Sequence, residues 1–120
     1  MQADLSTIEQ ELKDYERELY ASSDNETELT LDAARKRAAY DVAYAQELLK
    51  INANKDLKLT VPEKEAMAVL AVQNDLVACR IAEAMAQSAK RRLDTIQTLV
   101  SSVQTRAKLF QTERSLTAYS

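Results

Sequence analysis

The stretch TVPEKEAMAVLAVQNDLVACRIAEAMAQSAKRRLDTIQTLVSSVQTRAKLFQTE, from Thr60 to Glu113, decides how this chain folds. It opens on Thr60-Val61-Pro62-Glu63: an N-cap hydroxyl, a first-turn proline whose missing N–H costs nothing there, and a glutamate placed to close a capping box. After Pro62 no glycine or proline interrupts it. Fifty helical residues extend about 75 Å, whereas a compact domain of this length has a radius of gyration of only about 13 to 14 Å. The pattern predicts one very long C-terminal helix over 61–113. Such a helix either bends, at Gln87-Ser88 or Ser101-Ser102, or packs its distal half on other subunits.

Its apolar residues favour other subunits. Ala89, Leu93, Ile96, Val100, Val103, Ala107 and Phe110 step by 4-3-4-3-4-3, the coiled-coil repeat. Met67, Leu70, Asn74, Val77, Ile81 and Ala84 continue it upstream in a shifted register. A helical hairpin within one chain is the simpler arrangement, but the helices expected upstream are too short to cover both stripes. Leu93, Ile96, Val100, Val103, Ala107 and Phe110 are therefore expected to form the interface of a homo-oligomer.

Upstream, Leu5, Ile8, Leu12, Tyr15 and Leu19 make one stripe on a short acidic helix over 1–21, with Ser6 and Glu9 spaced as a capping box. Residues 22–29, polar and without an apolar period, are expected to be a linker. A middle helix over 30–54 is expected to start at Thr30, an N-cap followed by Asp32. It carries two stripes, Leu31, Ala34, Ala38, Val42, Ala45, Leu49 and Tyr40, Tyr44, Leu48, Ile51, and so predicts contacts on two sides. Asn52 to Asp56 should end it, with asparagine taking a left-handed cap position in a chain that has no glycine at all. The expected fold is all-α and elongated, a single helical domain over 1–120 that assembles like a coiled coil.

Composition limits the chemistry. The chain has 120 residues, no His, no Gly, one Pro and one Cys, and a net charge of −3. Without His the usual general base near neutral pH is missing, and without Gly no phosphate-cradling loop can form. Glu9/Glu11, Glu16/Glu18 and Glu63/Glu65 are i,i+2 pairs that do not share a helix face. No enzyme, no metal and no cofactor are expected. Cys79, alone and on an apolar face, reads as a small buried hydrophobe in a reducing compartment. No uncharged run reaches the roughly 18 residues of a membrane span, and the acid-bearing N-terminus is unlike a signal peptide, so a cytoplasmic protein without membrane contact is expected.

Charge is unevenly spread. Residues 1–30 hold nine acids and two bases, while bases gather at Arg35-Lys36-Arg37, Lys55/Lys58 and Lys90-Arg91-Arg92. Lys36 and Arg37 stand four and three residues before Tyr40, so both can neighbour its ring. Cations beside aromatic faces are what single-stranded nucleic-acid sites use. The other reading is a solvated basic turn with both tyrosines in a helix seam. Lys90-Arg91-Arg92, with Arg106 and Lys108, is expected to pair with the acidic first helix of a neighbouring subunit, which sets register more than stability; the alternative is that it binds phosphate.

Three segments carry a resemblance: Ala34-Arg35-Lys36-Arg37-Ala38-Ala39-Tyr40; Glu63-Lys64-Glu65-Ala66-Met67-Ala68-Val69-Leu70 with Asp75-Leu76-Val77; and Leu93-Asp94-Thr95-Ile96-Gln97 with Arg106-Ala107-Lys108-Leu109-Phe110. Over residues 33–113 the layout resembles the UvsY family of recombination mediators from T4-type phages. The resemblance implies a non-enzymatic oligomer that binds single-stranded DNA and helps a RecA-like recombinase replace single-strand-binding protein. It implies strand contacts at Arg35, Lys36, Arg37 and Tyr40, with Tyr44 extending the patch and Lys55 and Lys58 supporting, and oligomerisation through 93–110. The rival expectation is a helical interaction protein without DNA binding, either an inhibitor of a host protein or a structural coiled-coil adaptor.

Overall fold

The computed structural model describes residues 5–118. The fold is all-α. Three helices follow one another: α1 (Leu5–Ala53), α2 (Val61–Ala71) and α3 (Gln73–Ala118), and no strand occurs among the described residues. The described residues divide into two compact units, one made of the chain up to Glu26 together with the chain from Ser88 onward, the other of Thr27–Gln87.

The expected linker is helix. Residues 22–29, and Thr30 after them, lie inside α1, so the acidic and middle helices are one helix of 49 residues. The 3-4 spacing of Leu5, Ile8, Leu12, Tyr15 and Leu19 continues through Ser22, Glu26, Leu29 and Ala33, all buried or half-buried. Polar side chains occupy seam positions there, which hides the period from a reading that counts only apolar residues. Ser and Glu cost a helix only tenths of a kcal/mol, and nothing in the segment breaks one. Ser6 lies inside α1.

In the first unit, the start of α1 packs antiparallel on the distal part of α3. Two ion pairs set the direction: Arg92 to Glu18 at 3.2 Å and Arg106 to Glu11 at 2.7 Å. Ile8 is buried on α1, and Ala89, Ile96, Val100 and Val103 are buried on α3. Leu93, Ala107 and Phe110 are half-buried. The stripe expected to hold an oligomer together is thus largely occupied within one chain. The reason is the helical 22–29 segment: α1 is long enough to cover what two short helices could not. The acidic N-terminal segment docks on the basic helix of its own chain.

In the second unit, the rest of α1 faces α2 and the start of α3. Asn54 to Thr60 make the turn. No described residue has a positive φ, so no left-handed asparagine cap forms. Asn54 instead accepts the Asp56 N–H on its side-chain oxygen at 3.1 Å, and the Leu57 N–H donates to the Asn54 carbonyl at 3.3 Å. Thr60 caps α2 as its sequence requires: its hydroxyl oxygen accepts the Glu63 N–H at 3.3 Å and its O–H donates to the Glu63 carboxylate at 2.8 Å. Ala33, Ile51, Ala68, Val72, Cys79 and Ala82 are the buried apolar residues here.

The expected long helix is interrupted at Val72, not at Gln87-Ser88 or Ser101-Ser102, which α3 passes without a break. The Val72 N–H is shared between the carbonyls of Ala68 and Val69, at 3.3 and 3.2 Å. The buried and half-buried residues Ala68, Val72, Leu76 and Cys79 step by 4, 4 and 3 before the strict 3-4 repeat begins. An extra four-residue step loosens a helix locally if its seam is to stay aligned, and Val72 sits at that step. Opposite, Tyr40, Tyr44, Leu48 and Ile51 make the same 4-4-3 progression on α1.

A closed seam within one chain has a thermodynamic signature. Ile96→Ala should destabilise the fold by about 2–4 kcal/mol, and the wild-type chain should keep its helical circular dichroism when diluted from 2 to 0.1 µM, since dilution costs stability only where subunits hold the fold. Loss of helix over that dilution would show that 93–110 is an intermolecular seam.

Candidate nucleic-acid interface and polar seam cluster

The basic-aromatic segment lies on α1 in the second unit, and the structure divides it. Arg35 and Lys36 are exposed, and neither takes part in an ion pair. Arg37 is committed. Its guanidinium reaches Asp41, one turn on, at 3.7 Å and Glu83 of α3 at 3.7 Å, and it stands 5.9 Å from the centre of the Tyr40 ring. Tyr40 and Tyr44 are half-buried, with ring centres 6.1 Å apart and planes tilted by 30°. They belong to the stripe that faces inward.

Lys55 and Lys58 are exposed in the turn after α1. Eighteen residues of helix separate Arg35 from the end of α1 at Ala53, a rise of about 27 Å. The two lysines therefore do not join the Arg35–Arg37 patch, although each belongs to the same unit. That unit holds nine acids and eight bases over residues 27–87, so no broad basic field supports the patch.

A polar cluster around Cys79 is only half legible in the sequence. Cys79 is fully buried, and its Sγ–H donates to the Glu83 carboxylate at 3.1 Å. Burial pushes the thiol above its ordinary value, the Glu83 hydrogen bond adds to this, and Arg37 opposes it. The Arg37 guanidinium is held above its ordinary value, first by its hydrogen bond with Cys79, then by Asp41 and Glu83. Asp41 could be found from sequence, because i,i+4 residues meet on a helix. Glu83 could not, because it meets Arg37 only through the tertiary register. A thiol kept protonated by burial and a guanidinium bound on several sides make a structural lock, not a nucleophile.

Within this chain the basic stretch of α3 pairs with the acidic segment of α1 at Arg92 and Arg106. Lys90, Arg91 and Lys108 are exposed. A shallow gap of about 230 Å³ lies beside the Arg92–Glu18 pair, lined by Ala21, Ser22, Asn25 and Ala89. Its walls are small or neutral apart from that pair. No helix among the described residues is long and apolar enough to cross a membrane.

The second unit exposes apolar side chains in order. On α1 the whole stripe Leu31, Ala34, Ala38, Val42, Ala45, Leu49 is open, so the middle segment contacts its neighbours on one side rather than two. On α2 and α3, Met67, Leu70, Val77, Ile81 and Met85 are exposed by between 40% and 67%.

No family model, no curated protein and no solved structure matches this chain.

The raised thiol gives a pH prediction. A group whose folded value lies above its unfolded one contributes stability that is complete below the unfolded value and is lost as pH rises through the folded one. With an ordinary value of 9.0, the Cys79 contribution should be constant to about pH 8 and fall in more alkaline solution. Urea midpoints measured from pH 7 to 10 should show this slope, and Cys79→Ala should flatten it. Ellman's reagent should label Cys79 at least about 100-fold faster in 8 M urea than in buffer at pH 8, since reaction requires both exposure and thiolate.

Proposed function

We propose that this chain is a non-enzymatic helical interaction protein, of the adaptor or inhibitor kind, that acts by laying a helix face against a protein partner. One observation carries the reading: both helical sides of the second unit expose apolar stripes at helical spacing although the seam between them is closed. Single exposed apolar residues are ordinary on a protein surface, whereas ordered ones mark interaction sites. The mode is helix against helix, read through anchors at i, i+3, i+4 and i+7.

A second reading, a phage-type recombination mediator that binds single-stranded DNA as an oligomer and helps load a RecA-like recombinase in place of single-strand-binding protein, draws support from Arg35 and Lys36. They are exposed and unpaired on the turn before Tyr40. The near-neutral charge of the unit and the inward tyrosines favour the protein partner over the strand.

Both readings meet in one measurement. At 50 mM salt the chain should give no anisotropy change with fluorescent oligo-dT up to 50 µM protein. Binding that weakens at least tenfold between 50 and 200 mM salt, and that Arg35→Ala with Lys36→Ala removes, would replace the adaptor reading with the mediator. A photo-crosslinking residue at Ile81 should capture one discrete protein partner in the cell of origin, and the same residue at the exposed polar position Gln104 should not.

A further inference from the structure

Met67, Leu70, Asn74, Val77, Ile81 and Ala84 keep a 3-4-3-4-3 spacing across the junction of α2 and α3. All six are exposed, and Met85 beside them is too. The backbone ladder carries the stripe past Val72, since the Val72 N–H still bonds Ala68 and the Leu76 N–H donates to the Val72 carbonyl at 3.0 Å. We infer that this face is the seam of a reversible dimer of this chain, in which α2 and the start of α3 of one copy lie antiparallel on the same segment of a second copy. The inference rests on the interaction-protein reading and names its partner.

Three features point to a second copy. The first is period. A 3.5-residue stripe is matched by another helix with the same repeat, because each side chain then enters a hole between four of the facing ones. An alternating 3-4 spacing reads the same in both directions, so an antiparallel pair sets Leu70 against Ile81, Asn74 against Val77 and Met67 against Ala84, and then repeats those layers by symmetry. Self-complementarity of this kind is what a twofold interface requires.

The second is polarity. The residues between Ala66 and Ser88 include three charges, Asp75, Arg80 and Glu83, and none lies on the stripe. Glu83 is turned to Arg37 and Cys79 in the seam within the chain. The one polar residue on the stripe is Asn74, near its middle. A lone asparagine at a seam position costs some stability and fixes register and stoichiometry.

The third is size. Five large apolar side chains and the alanines among them offer on the order of 500 Å² per copy, below the roughly 800 Å² per partner of a standard complex. A dimer held by this stripe alone is weak and exchanging, with dissociation in the range of tens of micromolar. That strength suits a chain whose own seam already holds its fold.

Sedimentation equilibrium of the full chain from 2 to 300 µM tests this. The expected result is a monomer–dimer equilibrium with a midpoint in the tens of micromolar. Leu70→Glu with Ile81→Glu should raise the dissociation constant at least about 30-fold with helical circular dichroism and the melting temperature at 2 µM, where both chains are monomeric, unchanged, because both side chains are exposed. Asn74→Leu should tighten association or raise its stoichiometry. A monomer throughout the range would overturn the dimer, as would a dimer indifferent to Leu70→Glu/Ile81→Glu but lost in Leu31→Glu/Leu49→Glu. A monomer that still crosslinks a different protein at Ile81 leaves the interaction reading standing. A monomer that crosslinks nothing ends both.

Discussion

The fold of each unit depends on helices that face one another with matching seam steps. Glycine is absent and the only proline stands at the start of α2, where it costs no hydrogen bond. Helix formation is cooperative, so a segment of indifferent propensity such as 22–29 stays helical when its neighbours on both sides are helical and packed. That single fact converts two short helices into one of about 70 Å. It also gives the distal part of α3 a partner in its own chain. Small residues are buried in both units, Ser22 and Ala89 in the first and Ala33, Cys79 and Ala82 in the second.

The same register decides what the charges can do. Opposed helices bring Glu11 to Arg106, Glu18 to Arg92 and Arg37 to Glu83. Each pair is half-exposed, and pairs of that kind contribute at most about 1 kcal/mol. Their effect lies in direction, since they fix which turn of α1 meets which turn of α3. They also remove three guanidiniums from the set available to an anion. A basic cluster counted along the sequence is therefore larger than the one the surface presents, and Arg37, at the centre of the candidate patch, is the residue most changed.

Much of the architecture could be read in advance. The helical class, the cap at Thr60, the end of α1 near Asn52–Asn54 and the seam residues from Ala89 to Phe110 follow from composition, capping chemistry and period. What misled was polarity at seam positions. Ser22 and Glu26 continue the stripe in space but not in hydrophobicity, so a helix read as a linker made the seam look uncovered. The Val72 interruption was hidden for a different reason: valine carries no breaker signal, and only the 4-4-3 step shared with α1 marks the place. Cys79 was placed correctly as a buried residue, and Glu83 lies one turn on along the same helix, but Arg37 comes from α1, whose alignment with α3 no local pattern states. Of the candidate strand contacts, Arg35, Lys36, Lys55 and Lys58 are exposed, Arg37 is exposed but paired with Asp41 and Glu83, and both tyrosines are half-buried.

The two units share one kind of seam and differ in what they turn to water. A helix in a two-helix pair buries one stripe, about a third of its circumference, and the rest of its surface is free to carry charge. The first unit uses that freedom: around its seam stand Glu9, Lys13, Asp14, Arg17, Lys90 and Arg91, all exposed. The second unit does not use it on the α2–α3 side, where an ordered apolar stripe with one asparagine occupies the place of charged residues. Neither the capping of α2 nor the seam requires leucine at 70 or isoleucine at 81, since helix propensity at an exposed position is served as well by Lys, Glu or Gln. Apolar side chains that the fold does not need, spaced as a second helix would need them, are most economically explained by a second helix.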